Sequence, residues 1–280
     1  MPINFFSVAN HTVLVSGGDS DIGAYIAKGL ADAGASRVYI VGRQAASLYN
    51  IAKHSPRVIL PLIGDVTTIR GCKLVAEQFS GAEKKKVEKQ GGSVTLDLLV
   101  HNVGLGQYEG DGAHNTAAPE KPNGPTMKIL EYDWKKELVQ NAASVHWLSA
   151  ALLRYLVVPS TKPRAGRGSV VVNTFAAKLY VPLPAIDHIH NANRAAADNI
   201  TQNLATRLAR LDVRVNGIAL ANMTSQNKTT GNLVKHEEDS HAASCAGGED
   251  DVVGAVIYFA SMVSSRVSGT IIKVHGGGYS

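Results

Sequence analysis

Cysteine is scarce in this chain of 280 residues: only Cys72 and Cys245 are present, without metal-ligand spacing or a partner pattern. Neither a disulfide framework nor a zinc site is therefore expected, and a reducing compartment fits. No apolar run approaches the roughly 20 residues that a bilayer-spanning helix needs. The opening MPINFFSVANHTVLVSGG also lacks a charged segment followed by a long apolar one, so the expectation is a soluble cytoplasmic protein with no membrane partner. Basic residues are scattered apart from the run EKKKVEK at 83–89, and 28 Lys+Arg against 23 Asp+Glu leave a formal +5. That run reads as a solvated helix face and a nucleic-acid partner is not expected. Internal repeats are absent as well.

What is present is an apolar content of 45%, enough for one sizeable core. Short β-branched runs alternate with longer helical patterns: TVLVS 12–16, RVYIV 37–41, RVILPLI 57–63, LDLLVH 96–101, SVVVNT 169–174, VRVNGI 213–218 and TIIKV 270–274. Seven such strands with helices between them predict an α/β fold, a mostly parallel sheet covered on both faces. Helices are predicted over 22–34, ending at Gly34, over 127–157 as one extended helix, and over 188–211. Loops are expected at 106–125, 160–168 and 222–232. Long loops at the C-terminal ends of strands are where substrates are selected in such an architecture.

The first strand runs into SGGDSDIG, Ser16 to Gly23, and then into a helix. A glycine-rich turn of this kind lets backbone N–H groups and the helix N-terminus approach a pyrophosphate. Gly17 and Gly23 supply the close approach. Asp21 is repulsive there unless it points outward or caps its helix. Further on, Asp65-Val66 ends the third strand, HNVG at 101–104 ends the fourth, and VRVNGIAL builds the sixth.

Taken together these motifs resemble the short-chain dehydrogenase/reductase family over essentially the whole chain. The resemblance implies a single Rossmann-type domain over 1–280, a three-layer α/β/α sandwich with a seven-stranded parallel sheet, with substrate loops near 106–125 and 222–247. It further implies a homo-oligomer acting on a small-molecule substrate with a nicotinamide cofactor. The pyrophosphate turn would be Ser16, Gly17, Asp21, Ile22 and Gly23, where the family reads T-G-x-x-x-G-x-G. Asp65 and Val66 would hold the adenine, and Asn102 and Gly104 belong to the family's N-N-A-G, in which His101 and Val103 stand for the first Asn and the Ala. The second strand ends VGRQ without an acidic residue for the ribose diol, and Arg43 there favours NADP(H) through a 2′-phosphate.

Departures from the family gather where its catalytic Ser, Tyr and Lys would be. The Ser position falls on Ala176 or Ala177, and Y-x-x-x-K becomes HNANR, with His190 for Tyr and Arg194 for Lys. Asn141, in the long helix, is the one member kept. Arg194 is cationic and can hold a ribose, but it cannot relay a proton as Lys can. Helical spacing places Asp187, His190, Asn191 and Arg194 on one side of the helix, and His190 titrates near neutrality and can serve as acid or base. The turn IALANMT at 218–224, with Leu220 and Ala221 where the family has Pro and Gly, also departs.

This set of changes resembles the reductase/Diels–Alderase branch of the family in fungal indole alkaloid pathways, whose equivalent stretch reads P-D-P-N-R; HNANR keeps its final Asn193-Arg194. The implied function is reduction of an iminium-like electrophile with NADP(H), or guidance of an intramolecular cyclisation, with His190, Asp187, Asn141 and Asn191 as polar contacts and Trp147 and Tyr180 as candidate aromatic walls. Two other readings stand beside it: a carbonyl reductase using His190 as the acid, and a silent NADP(H)-binding scaffold.

Overall fold

In the computed structural model, the described residues are 4–87, 92–102, 131–157, 168–175, 188–220 and 247–276. Seven strands, β1 (Thr12–Ser16), β2 (Arg37–Gly42), β3 (Ile59–Ile63), β4 (Leu98–His101), β5 (Ser169–Phe175), β6 (Arg214–Leu220) and β7 (Ile271–Val274), form one sheet in the order β3-β2-β1-β4-β5-β6-β7. Every pairing is parallel. The chain crosses from β3 back past β1 to β4, so the connections after β1 and β4 part to opposite faces. In open α/β sheets the C-terminal ends of the strands at such a parting are where ligands bind.

Alternation along the strands feeds two cores. Leu14, Leu99, Val170 and Val172 point to the side of α3 (Ile69–Val87) and α5 (Ser144–Leu156), where they meet Phe79, Leu148 and Leu152. Val13, Val15, Leu98, Val100 and Val171 point to the side of α1 (Asp21–Asp32) and α7 (Glu249–Ala260), where they meet Ile26, Leu30, Val252 and Phe259. Central strands buried on both faces need apolar residues at every position, which is why TVLVS and SVVVN read as near-continuous runs. β3 is different: it is an edge strand, Ile63 is exposed, and Pro61 is accommodated because one side of β3 carries no ladder.

Among the described residues, no helix is long and apolar enough to cross a membrane. Ser20 caps α1, its hydroxyl accepting the Gly23 N–H at 3.1 Å, and Gly34 just beyond the helix takes φ +93°. The short helix α2 (Ala45–Ala52) follows β2, and α6 (His188–Leu208) lies between β5 and β6.

Two expectations need refinement. Within 127–157 the described residues 131–156 run as one unbroken helix, α4 (Glu131–Leu138) leading into α5 through one wide π turn, Val139–Ala143. Its cause is local: the Asn141 side-chain amide donates to the Glu137 carbonyl at 2.9 Å, competing for the oxygen that an α-helical Asn141 N–H would use. The run EKKKVEK is also not simply a solvated face, because Glu83 is 1% exposed. Its carboxylate accepts from Arg37 Nε and from the Tyr39 hydroxyl, both at 2.6 Å, while Lys86 lies 5.8 Å over the Tyr39 ring. Burial and the neighbouring Glu83 carboxylate push the Tyr39 hydroxyl well above the ordinary tyrosine range. Arg37 at the start of β2 projects under α3, so one acidic residue of that helix must turn inward to meet it.

Candidate functional site

β1 ends in Ser16, and Gly17 then turns the chain with φ +63°, a left-handed conformation that favours glycine. Its neighbour Gly18 is tied to β2 by a 2.9 Å bond from its N–H to the Val41 carbonyl. A Cβ on Gly23 would stand 2.2 Å from the Gly17 carbonyl oxygen, and one on Gly18 would stand 2.7 Å from Ile40 Cβ. The turn is therefore closed down to bare backbone against the first turn of α1. Exposed main-chain N–H groups at a helix N-terminus suit a pyrophosphate, and this cradle fits one. Asp21 is the first residue of α1 and is exposed, so it favours the helix dipole from outside; the cap is made by Ser20. Ile22 is half-buried and packs against the core on the α1 side.

Asn102 locks this turn to the next strands. Its side-chain N–H groups donate to the Gly17 carbonyl at 3.2 Å and to Ser20 Oγ at 3.0 Å, and its backbone N–H reaches Ser16 Oγ at 3.3 Å. The Asn173 side-chain amide, from β5, meets Asn102 Oδ1 at 2.6 Å. The Asn102 amide nitrogen is turned to the glycine turn. Three adjacent strands thus fix one loop, and Asn173 is a participant the sequence reading missed; a polar residue closing the otherwise apolar SVVVNT was its signal.

Two strands from β1 along the sheet, Asp65 Oδ1 accepts from the Thr67 N–H at 2.9 Å and the Thr67 hydroxyl at 2.7 Å, a local turn after β3. Val66 is buried in the core, and its carbonyl accepts from Cys72 Sγ at 3.2 Å. Burial pushes that thiol up to about 12. Between the two loops, at the end of β2, Arg43 is exposed. Its backbone N–H and that of Gln44 both donate to Asp19 Oδ2, at 2.9 and 3.1 Å. Asp19 was also not singled out from the sequence, although an acidic residue within a glycine turn is unusual enough to have been.

The second group of polar side chains lies where the π turn meets α6. Asn141 is buried and donates to Glu137 Oε2 at 2.8 Å. Arg194 is 2% exposed. Burial lowers its pKa to about 10, while Glu137 and Asp198 favour the charged form. The Asp198 carboxyl is raised above its ordinary value, burial outweighing the Thr174 hydrogen bond and the Arg194 charge that lower it. Glu137 stands four residues before Asn141 and Asp198 four after Arg194, so helical spacing alone brings each acid to its partner. His101, closing β4, is buried with its Nε2 2.9 Å from Ser149 Oγ, and burial lowers its pKa to about 3. It is a neutral structural imidazole.

The backbones of His190 and Asn191 lie on α6, in the turn before Arg194. Their side chains, together with Asp187, Gly104, Ala176, Ala177, Tyr180 and most of the predicted substrate loops, fall outside the described residues. Trp147, a candidate aromatic wall, is half-buried and packs against the apolar core on the side of α3 and α5.

A family model described as short chain dehydrogenase matches residues 11–235. Gluconate 5-dehydrogenase of Gluconobacter oxydans is 26% identical, the alignment covering 98% of this chain and 96% of that one. Short-chain dehydrogenase/reductase PhomF′ of Diaporthe leptostromiformis is 24% identical, covering 98% and 93%. Among solved structures, the Pseudomonas aeruginosa RhlG/NADP active-site complex superposes with a TM-score of 0.78 at 22% identity, covering 99% of both chains. The strand order, the glycine turn locked by Asn102 and the match over most of the sequence agree: the chain belongs to the short chain dehydrogenase family.

Proposed function

We propose that this protein is an NADP(H)-dependent reductase of a preformed cationic electrophile such as a cyclic iminium, with all of 1–280 forming one domain around the site. The observation that carries the reading is Arg194: the position of the family's lysine holds a buried guanidinium balanced by Glu137 and Asp198. Arginine stays protonated and does not pass a proton on. His190 stands where the family has its acid tyrosine, and Ala176 or Ala177 where it has its serine. A ketone requires hydride at carbon and a proton at oxygen; an iminium requires hydride alone, because the C=N⁺ bond accepts the electron pair at nitrogen and becomes a neutral amine.

The cofactor, when bound, supplies that hydride. In this reading the turn from Ser16 to Gly23 holds its pyrophosphate, Asp65 and Val66 its adenine, Arg43 its 2′-phosphate, and Asn102 and Gly104 the path between its halves. The NADP complex of the similar Pseudomonas protein supports the cofactor class. Asn141, fixed by Glu137, and the helix face of Asp187, His190, Asn191 and Arg194 orient the substrate. The same arrangement suits guidance of an intramolecular cyclisation, which needs orientation more than proton transfer.

The test is the loss of reduced-nicotinamide absorbance with a cyclic iminium and with the ketone of matching carbon skeleton. The iminium is expected to react faster by about a hundredfold or more, ~2.7 kcal/mol in barrier. A ketone rate as high as the iminium rate would instead establish a carbonyl reductase with His190 as acid, and turnover of neither with tight nucleotide binding would leave the cyclase or the silent scaffold.

A further inference from the structure

We propose that Asp19 is a specificity-determining residue for the nucleotide, opposing Arg43 at the ribose 2′ position so that the site accepts NAD(H) alongside NADP(H). The proposal rests on the cofactor reading above and adds to it a residue from the turn itself. Strand order supplies the geometry. β2 lies between β1 and β3. A ligand that runs from the N-terminus of α1 to Asp65 after β3 must cross the end of β2, at Gly42 and Arg43.

Asp19 occupies that crossing. A Cβ on Gly42 would meet the Asp19 carboxyl carbon at 2.3 Å and both its oxygens at 2.5 Å, so the carboxylate lies directly against the end of β2. Oδ2 takes the N–H groups of Arg43 and Gln44, and Oδ1 makes no hydrogen bond among the described residues. The side chain is also held from behind. The Asp19 carbonyl accepts from Ser47 Oγ at 3.1 Å, and the adjoining Gly18 N–H is bound to Val41.

An ionised carboxylate only accepts hydrogen bonds. Its open oxygen can take a ribose hydroxyl, the work that the acidic residue missing from VGRQ would otherwise do, but from the neighbouring turn instead of from the strand end. Toward a phosphate monoester carrying nearly two negative charges it is repulsive. The exposed Arg43 guanidinium attracts the same group. With one cation and one anion at a single crossing, neither nucleotide is strongly excluded, whereas a site with Arg43 alone would select NADP(H).

Calorimetric titration of NADH and NADPH into the wild type, Asp19→Asn and Arg43→Ala tests this. Asn keeps an oxygen for the two N–H groups and removes the charge. The wild type is expected to bind both within about tenfold, Asp19→Asn to shift the ratio about tenfold or more toward NADPH, and Arg43→Ala to shift it as far toward NADH. An unchanged ratio in folded Asp19→Asn overturns the proposal. A measurement free of any variant uses 5′-AMP and 2′,5′-ADP, which differ only by the 2′-phosphate, on the wild type: comparable affinities support it, and a preference of about a hundredfold for 2′,5′-ADP overturns it. Failure of the wild type to bind any of the four nucleotides overturns the cofactor reading itself, and the proposal with it.

Discussion

The side-chain amide of Asn141 donates to Glu137 twice, to its backbone carbonyl at 2.9 Å and to its carboxylate at 2.8 Å. One residue thereby widens the helix into a π turn and aims an acid at the buried Arg194. A polar network at that depth is stable only if its charges remain balanced.

Removing one member should show the imbalance. Glu137→Ala leaves the Arg194 guanidinium buried with Asp198 as its remaining described acid, and is expected to cost about 3 kcal/mol. In Glu137→Ala with Arg194→Met only part of that loss should return: the apolar side chain needs no counter-charge, but Asp198, already raised by burial, is left without its cation and must take up a proton. Urea unfolding of the two single variants and the double variant measures the coupling. A loss below about 1 kcal/mol in Glu137→Ala would mean that Arg194 is neutralised by other groups.

Gly23→Ala addresses the cradle. The added methyl meets the Gly17 carbonyl oxygen, a backbone atom, at 2.2 Å, so α1 must move away from β1. The expected result is a destabilisation of about 1–3 kcal/mol, together with loss of NADPH binding by calorimetry. Retained binding at full affinity would place the pyrophosphate elsewhere.

Ser20→Ala separates the cap from the cradle. Its hydroxyl accepts from Gly23 N–H and from the Asn102 amide and donates to the Gly17 carbonyl at 2.8 Å. Loss of an N-cap costs about 1 kcal/mol; because Asn102 also loses a partner, Ser20→Ala is expected to exceed that value. A thermal unfolding midpoint equal to the wild type would show that Asn102 holds the turn alone.

The sheet was readable because buried central strands must be apolar at consecutive positions. TVLVS was placed at 12–16, where β1 lies, and RVYIV at 37–41 within β2. The glycine turn was readable for a related reason: Gly17 and Gly23 answer steric demands visible in their spacing. Asp19 and Glu137 were not, since a carboxylate on a turn or helix surface looks solvated until the packing of a second element is known. Glu83 shows the same limit from the other direction, because the Arg37 that draws it inward is 46 residues away in sequence. Position 190 illustrates a different one: the sequence identifies a histidine where the family has its acid tyrosine, while its chemistry depends on the groups that meet its side chain, which spacing along the chain does not reveal.

His101 gives the pH dependence. Its imidazole is neutral in the folded protein down to about 3, against an ordinary value of 6.5, because burial against Ser149 disfavours the charged form. As pH falls through 6.5 the unfolded chain takes up a proton that the folded chain refuses, so this residue's contribution is complete above 6.5 and is lost toward 3. The loss amounts to as much as about 1.4 kcal/mol per pH unit. His101→Asn removes the titrating group and keeps a polar partner for Ser149. Urea unfolding across that window should therefore show a pH slope shallower by about one proton in the variant. Equal slopes would mean that the folded protein protonates His101 as readily as the unfolded chain does, and that the β4 end opens to water in acid.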